Sequence, residues 1–168
     1  MEITYTPIGI IHSPFHVLSG MPIQPSSESS APGFLELLPE YVPGVKDLDG
    51  FSHIILIYHL HHSHHYSLSV TPFLDTKPHG VFATRAPHRP NPIGISVVRL
   101  HRIENSTLFV ENLDVLDGTP LLDIKPYVPE FDTPPVFHLG WLESVRAGVK
   151  FTRSDDRFSS SETPGEET

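Results

Sequence analysis

Eighteen prolines and eleven glycines punctuate this chain of 168 residues, and that spacing is what most limits its fold. Proline fixes φ and removes an amide donor, so runs this interrupted do not sustain long helices. They suit short strands joined by stiff turns. Seven segments read as strands or near-strands: Ile3–His12, Phe34–Leu38, Phe51–Leu60, Val81–Arg85, Ile95–Ile103, Thr107–Leu113 and Leu121–Lys125. The Phe51–Leu60 run is apolar enough to be buried on both faces. Ile95–Ile103 alternates, with Ile95, Val97 and Leu100 on the apolar side and a slip near Val98. Glu104-Asn105-Ser106 reads as a hairpin turn, and Asp117-Gly118-Thr119-Pro120 as a second strong turn. Only Tyr41–Leu48 suggests a helix, and Val136–Val149 suits either a last strand or a short helix. The pattern predicts an all-β domain with minor helix, a sandwich or small barrel, over residues 1–151. A polar tail, 152–168, is expected to fray.

No strand–helix alternation and no glycine-rich dinucleotide or phosphate loop is present, which argues against a Rossmann-type cofactor site. There is no cysteine, so thiolate zinc sites and a cysteine nucleophile are excluded. No secretory signal stands at the start, and the apolar run Ile54–Leu60 is too short to cross a bilayer. A soluble, cytoplasmic protein with no membrane partner is expected. The formal net charge of −9 argues against unspecific nucleic-acid binding. Yet Thr76–Ile103 holds Lys77, Arg85, Arg89, Arg99 and Arg102 and no acid, so a local basic face on an acidic body is possible.

Three constellations bear chemistry. The first is Gly80 to Gly94, Gly-Val-Phe-Ala-Thr-Arg-Ala-Pro-His-Arg-Pro-Asn-Pro-Ile-Gly. Three prolines stiffen it, so Arg85, His88, Arg89 and Asn91 are held before any ligand arrives, which lowers the ordering cost of binding. The bland alternative is a rigid turn whose arginines pair with surface acids. The second is Leu113 to Tyr127, with Asp114, Asp117 and Asp123 in apolar surroundings, where a bare carboxylate is costly. Arg85, Arg89 or Lys125 would partner them, either as a structural ion-pair network or as a ligand site. The third is His53 at the start of an apolar strand, where a lone histidine is more often a hydrogen-bonded core residue than a catalyst. His59, His61, His62, His64 and His65 invite a metal reading, but no HExxH or cysteine supports it and no metal is expected.

Together with Ile8–Phe15 and Leu48–His53, these segments stand in the order found in a known family. The chain resembles the TsaA/TrmO family of S-adenosylmethionine-dependent tRNA methyltransferases over roughly residues 5–130. The resemblance implies a small single-sheeted barrel and a homodimer with the cofactor near its interface. It implies methylation of N6 of threonylcarbamoyladenosine at position 37, beside the tRNA anticodon. It places Gln24, Pro25, Ser26, Leu60, His61, Arg85, Ile95, Leu113 and Asp114 at the S-adenosylmethionine pocket. Two departures stand out: Ser26 where the family has glycine, and Ala86 where serine is usual. Bacterial members carry a further C-terminal domain for tRNA, and the sequence is closer to the shorter archaeal type.

For such a transfer, Asp117, Asp123 and His53 are the candidate bases, with Arg85 in the catalytic set. Arg85 and Arg89 suit either the cofactor carboxylate or the threonyl carboxylate of the substrate. His88, Arg89, Asn91, Lys125 and Tyr127 are assigned to substrate. The competing readings are a non-catalytic module binding S-adenosylmethionine or a nucleotide, and a histidine-rich metal protein.

Overall fold

The computed structural model describes residues 3–18, 21, 31–144, 154–155 and 158. Its framework is eight strands: β1 (Gly9–His12), β2 (Gly33–Leu37), β3 (His53–His59), β4 (Ser69–Val70), β5 (His79–Gly80), β6 (Ile93–Glu104), β7 (Thr107–Glu111) and β8 (Thr119–Pro126). Six of them close a barrel in the order β1-β2-β7-β6-β3-β8, with β8 returning to β1. Every pairing is antiparallel. β4 and β5 form a separate two-stranded ribbon. Closure leaves no open sheet edge, which removes the usual site of strand-to-strand aggregation.

The interior follows from period-two alternation. Ile54, Leu56 and Tyr58 of β3 point inward, as do Val98 and Leu100 of β6, and Ile11, Leu35, Leu108, Val110 and Leu121 complete the core. Each such aliphatic side chain contributes roughly 2 kcal/mol of burial. Ile55 and Ile57 remain partly exposed, so β3 is not buried on both faces as expected. In β6 the inward face is Ser96, Val98 and Leu100, while Ile95 and Val97 point outward. Leu100 is inward as expected, but the face is inverted at Ile95 and Val97, because polarity alone marks an isoleucine as core and a serine as surface. The register slip falls between Leu100 and Arg102, three residues beyond the expected place.

Other departures have local causes. β1 begins only at Gly9, and the expected helix at Tyr41–Leu48 is two 3-10 turns, Pro39–Val45 and Leu48–Gly50. Pro43 lies inside the first and Asp47 takes a left-handed φ of 66° between them, and both stop an α-helix. The Val81–Arg85 strand is instead a 3-10 turn, Val81–Ala83, tied by Thr84 Oγ1 donating to the Val81 carbonyl at 2.9 Å. Within Val136–Val149 the described residues form a 3-10 turn at Gly140–Ser144, and Trp141 lies on His79 at 4.5 Å. Residues 145–149 lie outside the described set. The Asn105–Ser106 hairpin and the Asp117–Gly118 turn stand where expected, with positive φ at Asn105 and Gly118.

Gly94 faces Tyr58 across the β3–β6 ladder, and a Cβ there would come within 2.1 Å of the Tyr58 ring. The bare backbone at Gly94 is what lets that ring lie inside the barrel.

Candidate functional site

The end of β3 carries Tyr58, inward and nearly buried. Its hydroxyl is 2.9 Å from Ser96 Oγ of β6, and Ser96 Oγ donates to Asp114 Oδ1 at 2.5 Å. Because Ser96 gives its proton to the carboxylate, the Tyr58 hydroxyl donates to Ser96. Three polar groups from three distant parts of the chain thus form one directed relay into a pocket. The pocket encloses about 100 Å³. Apolar Leu60, Val115 and Leu116 line it alongside the polar Asp114, His61 and Thr119.

Burial sets the electrostatics of this relay. It pushes the Asp114 carboxyl up from its ordinary value to about 6, against the opposing pull of the Ser96 hydrogen bond and the Arg85 charge. Burial, with the nearby Asp114 charge, also holds the Tyr58 phenol well above its ordinary range, so Tyr58 stays a neutral donor. Arg85 is exposed and does not line the pocket, but its charge favours the ionised form of both groups. His61, at hydrogen-bond distance (3.3 Å) from Thr119 Oγ1, has its pKa lowered by burial and by His62, His59 and His64, which keeps the ring neutral at pH 7.

The stiff loop is held from within. Arg89 Nη1 donates to three loop carbonyls, Val81 at 3.2 Å, Thr84 at 2.9 Å and Ala86 at 3.3 Å. These bracket Arg85 in sequence, so Arg89 shapes the turn that presents Arg85. His88 is buried, tilted against His65 at 4.1 Å and edge-on to Phe158 at 5.1 Å, and it lines the pocket. Ser63 donates to the Pro87 carbonyl at 2.9 Å and Leu60 N–H to that of Pro92 at 2.7 Å, fastening the histidine-rich turn to the proline loop.

The structure brings together Leu60, His61, His88 and Asp114 from the sequence-derived set, while Arg85 acts on Asp114 through its charge without lining the pocket. Leu113 is fully buried beside them in the core. Asp117 instead anchors β1: its carboxylate accepts from Ser13 N–H at 3.1 Å and lies 3.4 Å from His12 and 3.6 Å from His16. Asp123 pairs with Lys125 at 2.7 Å on the outer face of β8. His53 stands outside the barrel, bonded to Ser52 at 3.0 Å, with its ring edge toward Tyr127. Tyr127 bonds Thr133 at 2.9 Å. None of Asp117, Asp123, His53, Lys125 or Tyr127 lines this pocket. Ile95 faces outward, 53% exposed, and Asn91 is an exposed turn residue whose carbonyl accepts from Ile93 N–H. Gln24, Pro25 and Ser26 lie outside the described residues. Arg99 and Arg102 are matched on the outer face by Glu111 and Glu104. Among the described residues no three histidine or acidic groups converge on a metal position. No helix among them is long and apolar enough to cross a membrane.

Sequence reasoning missed Tyr58, Ser96 and Phe158. The signal for the first two was a serine flanked by Ile95 and Val97, two residues after a glycine opposite a tyrosine. It becomes legible only once the strand register is known.

The family model for the tRNA-methyltransferase O N-terminal domain matches residues 10–133. This chain belongs to that family. A probable S-adenosyl-L-methionine-binding protein of Pyrococcus abyssi is 53% identical over 95% of this chain and 87% of its own length. The human tRNA (adenine(37)-N6)-methyltransferase is 36% identical over 76% of this chain, which spans 31% of the human protein. The crystal structure of TrmO from Pseudomonas aeruginosa superposes with a TM-score of 0.71 at 43% identity, covering 83% of this chain. This chain spans 62% of that TrmO. The matched region contains every strand of the barrel except the first residue of β1, and it contains the whole Tyr58–Ser96–Asp114 relay.

Proposed function

We propose that this chain is an S-adenosylmethionine-dependent methyltransferase that methylates N6 of threonylcarbamoyladenosine at position 37 of tRNA. The observation that carries the reading is the relay from Tyr58 through Ser96 to Asp114, opening into an apolar-walled pocket and acted on by the Arg85 charge, in a chain of the TrmO family. These residues fit the donor: a carboxylate for its cationic centre, apolar walls around it, and the Arg85 guanidinium, whose charge reaches Asp114, for its carboxylate. Bound there, S-adenosylmethionine supplies an electrophilic methyl group.

The chain's own groups supply the rest. N6 of a ureido-substituted adenine is a poor nucleophile while it keeps its hydrogen. Asp114, with a pKa near 6, is mostly ionised at pH 7 and takes that proton as the N6–methyl bond forms. Ser96 fixes the carboxylate's orientation, and Tyr58 fixes Ser96. Arg85 grips a carboxylate, and Leu60, Val115 and Leu116 exclude water from the line of attack. Arg89 serves the substrate side indirectly, through the loop it braces.

The enclosed volume is smaller than the ~300 Å³ at which pockets for such ligands begin. A second copy supplies the missing wall in the homodimer we favour. Ile55 and Ile57 of β3 and Ile93, Ile95 and Val97 of β6 form an outward apolar strip suited to that contact. It also brings Ile95 to a donor site it does not reach within its own barrel. Ile95→Glu would then shift the chain to monomer by light scattering and weaken donor binding together. The cytoplasm is the compartment such an enzyme works in.

The direct test is transfer of labelled methyl to bulk tRNA lacking this methylation, with the nucleoside identified by mass. Label on threonylcarbamoyladenosine supports the reading. Tight donor binding with no transfer would leave a binding module in its place.

A further inference from the structure

The family match ends at residue 133, yet the C-terminal segment reaches the pocket. Ser154 is laced to the opposite end of the chain. Its N–H donates to the Met21 carbonyl at 3.0 Å, its Oγ accepts from Met21 N–H at 2.9 Å, and its hydroxyl donates to the Leu18 carbonyl. Leu18 and Met21 both line the pocket. Four residues on, Phe158 sets its ring edge-on to His88 at 5.1 Å and to Phe73 at 5.0 Å, and it packs on the small cluster of Val70, Val81 and Ala86. Phe158 lines the pocket as well. Ser154 therefore holds Leu18 and Met21 on one side of the pocket, and Phe158, seated on Val81 and Ala86 of the proline loop, adds an aromatic face on another.

We infer that Ser154 and Phe158 form a C-terminal strap that completes the donor pocket, with Phe158 a binding residue for S-adenosylmethionine. The inference rests on the reading of this pocket as the donor site. A polar tail has no need of a phenylalanine seated on buried valines, and this one turns part of its ring to the cavity as well. An aromatic face suits either component of the donor, the flat purine by stacking or the sulfonium by cation–π attraction.

The test uses the full-length chain and calorimetric titration with S-adenosylmethionine and with the product S-adenosylhomocysteine, which lacks the sulfonium charge. Phe158→Ala is expected to weaken donor binding about tenfold. Phe158→Leu keeps the packing on Val81 and Ala86 and is expected to retain the melting temperature of the ligand-free protein while still binding several-fold more weakly. Ser154→Ala, which removes the hydroxyl bonds to Leu18 and Met21 and leaves the backbone bond to Met21, is expected to lose affinity for both ligands equally. A larger loss for the donor than for the product places Phe158 at the sulfonium, and equal losses place it at the purine. Wild-type affinity in both Phe158 variants overturns the strap while the pocket's assignment stands. Failure of the unaltered chain to bind the donor overturns both.

Discussion

Asp114→Asn should make the protein more stable and inactive. In the unfolded chain the Asp114 carboxyl titrates near 3.8, and in the fold near 6. Its folded pKa is raised, so the native state holds the proton more tightly. Stability from this group is fully present below about pH 4 and is lost as pH rises through 6. Above pH 6 the native state carries a buried charge whose cost corresponds to roughly two pKa units, or about 3 kcal/mol. Asp114 keeps some contact with the open pocket, which screens part of that, so about 1–3 kcal/mol is expected. Asparagine has nearly the same shape, accepts the Ser96 hydrogen bond and carries no charge. Urea denaturation at pH 4 and at pH 7.5 measures the effect. The variant should match the wild type at pH 4 and exceed it by about 1–3 kcal/mol at pH 7.5, with methyl transfer lost throughout. A variant no more stable at pH 7.5, or one whose gain is the same at both pH values, would refute the assignment of a strained, buried acid.

Arg85→Ala should lower transfer by about a hundredfold or more with an unchanged melting temperature, because the residue is exposed and serves the ligand rather than the core. Arg89→Ala should cost about 1–2 kcal/mol by thermal unfolding and open the Thr84–His88 turn to proteolysis, since three carbonyls lose a charged donor. Arg89→Lys should recover much of this, because all three bonds come from the single nitrogen Nη1 and an ammonium carries three donors. Gly94→Ala should destabilise by about 1–3 kcal/mol and shift the Tyr58 ring, visible in the near-ultraviolet circular dichroism. The wild-type rate should fall as pH drops through about 6, the acid limb following protonation of Asp114, and in Ser96→Ala that limb should move upward.

The strand inventory was legible because proline and glycine end each segment and alternation marks the rest. β2, β3, β6, β7 and β8 lie within a few residues of their expected places. Barrel closure was not legible, since it depends on which non-neighbouring strands pair. Side-chain orientation failed for the same reason. Ser96 reads as surface from its polarity, yet it faces inward because Asp114 and Tyr58 satisfy it there. The stiff loop was recognised as a built feature, but its two arginines split. Arg85 stays exposed with its charge acting on the relay, and Arg89 satisfies the loop's own carbonyls, a distinction that residue type does not carry. Asp117 and Asp123 drew attention as acids in apolar runs. Their partners, Ser13 with His12 and Lys125, are residues the sequence offered without saying which would be used.

Tyr58, Ser96 and Asp114 sit on the end of β3, the early part of β6 and the segment after β7, and β6 and β8 both flank β3. The β6–β7 hairpin carries Ser96 and leads straight into Asp114, but Tyr58 joins them only when β3 pairs with β6. The relay is therefore complete once that non-local ladder has formed, and non-local pairing is the slow part of folding. Competence is thus written into a single ladder, and a chain that lacks it holds the acid without its second donor.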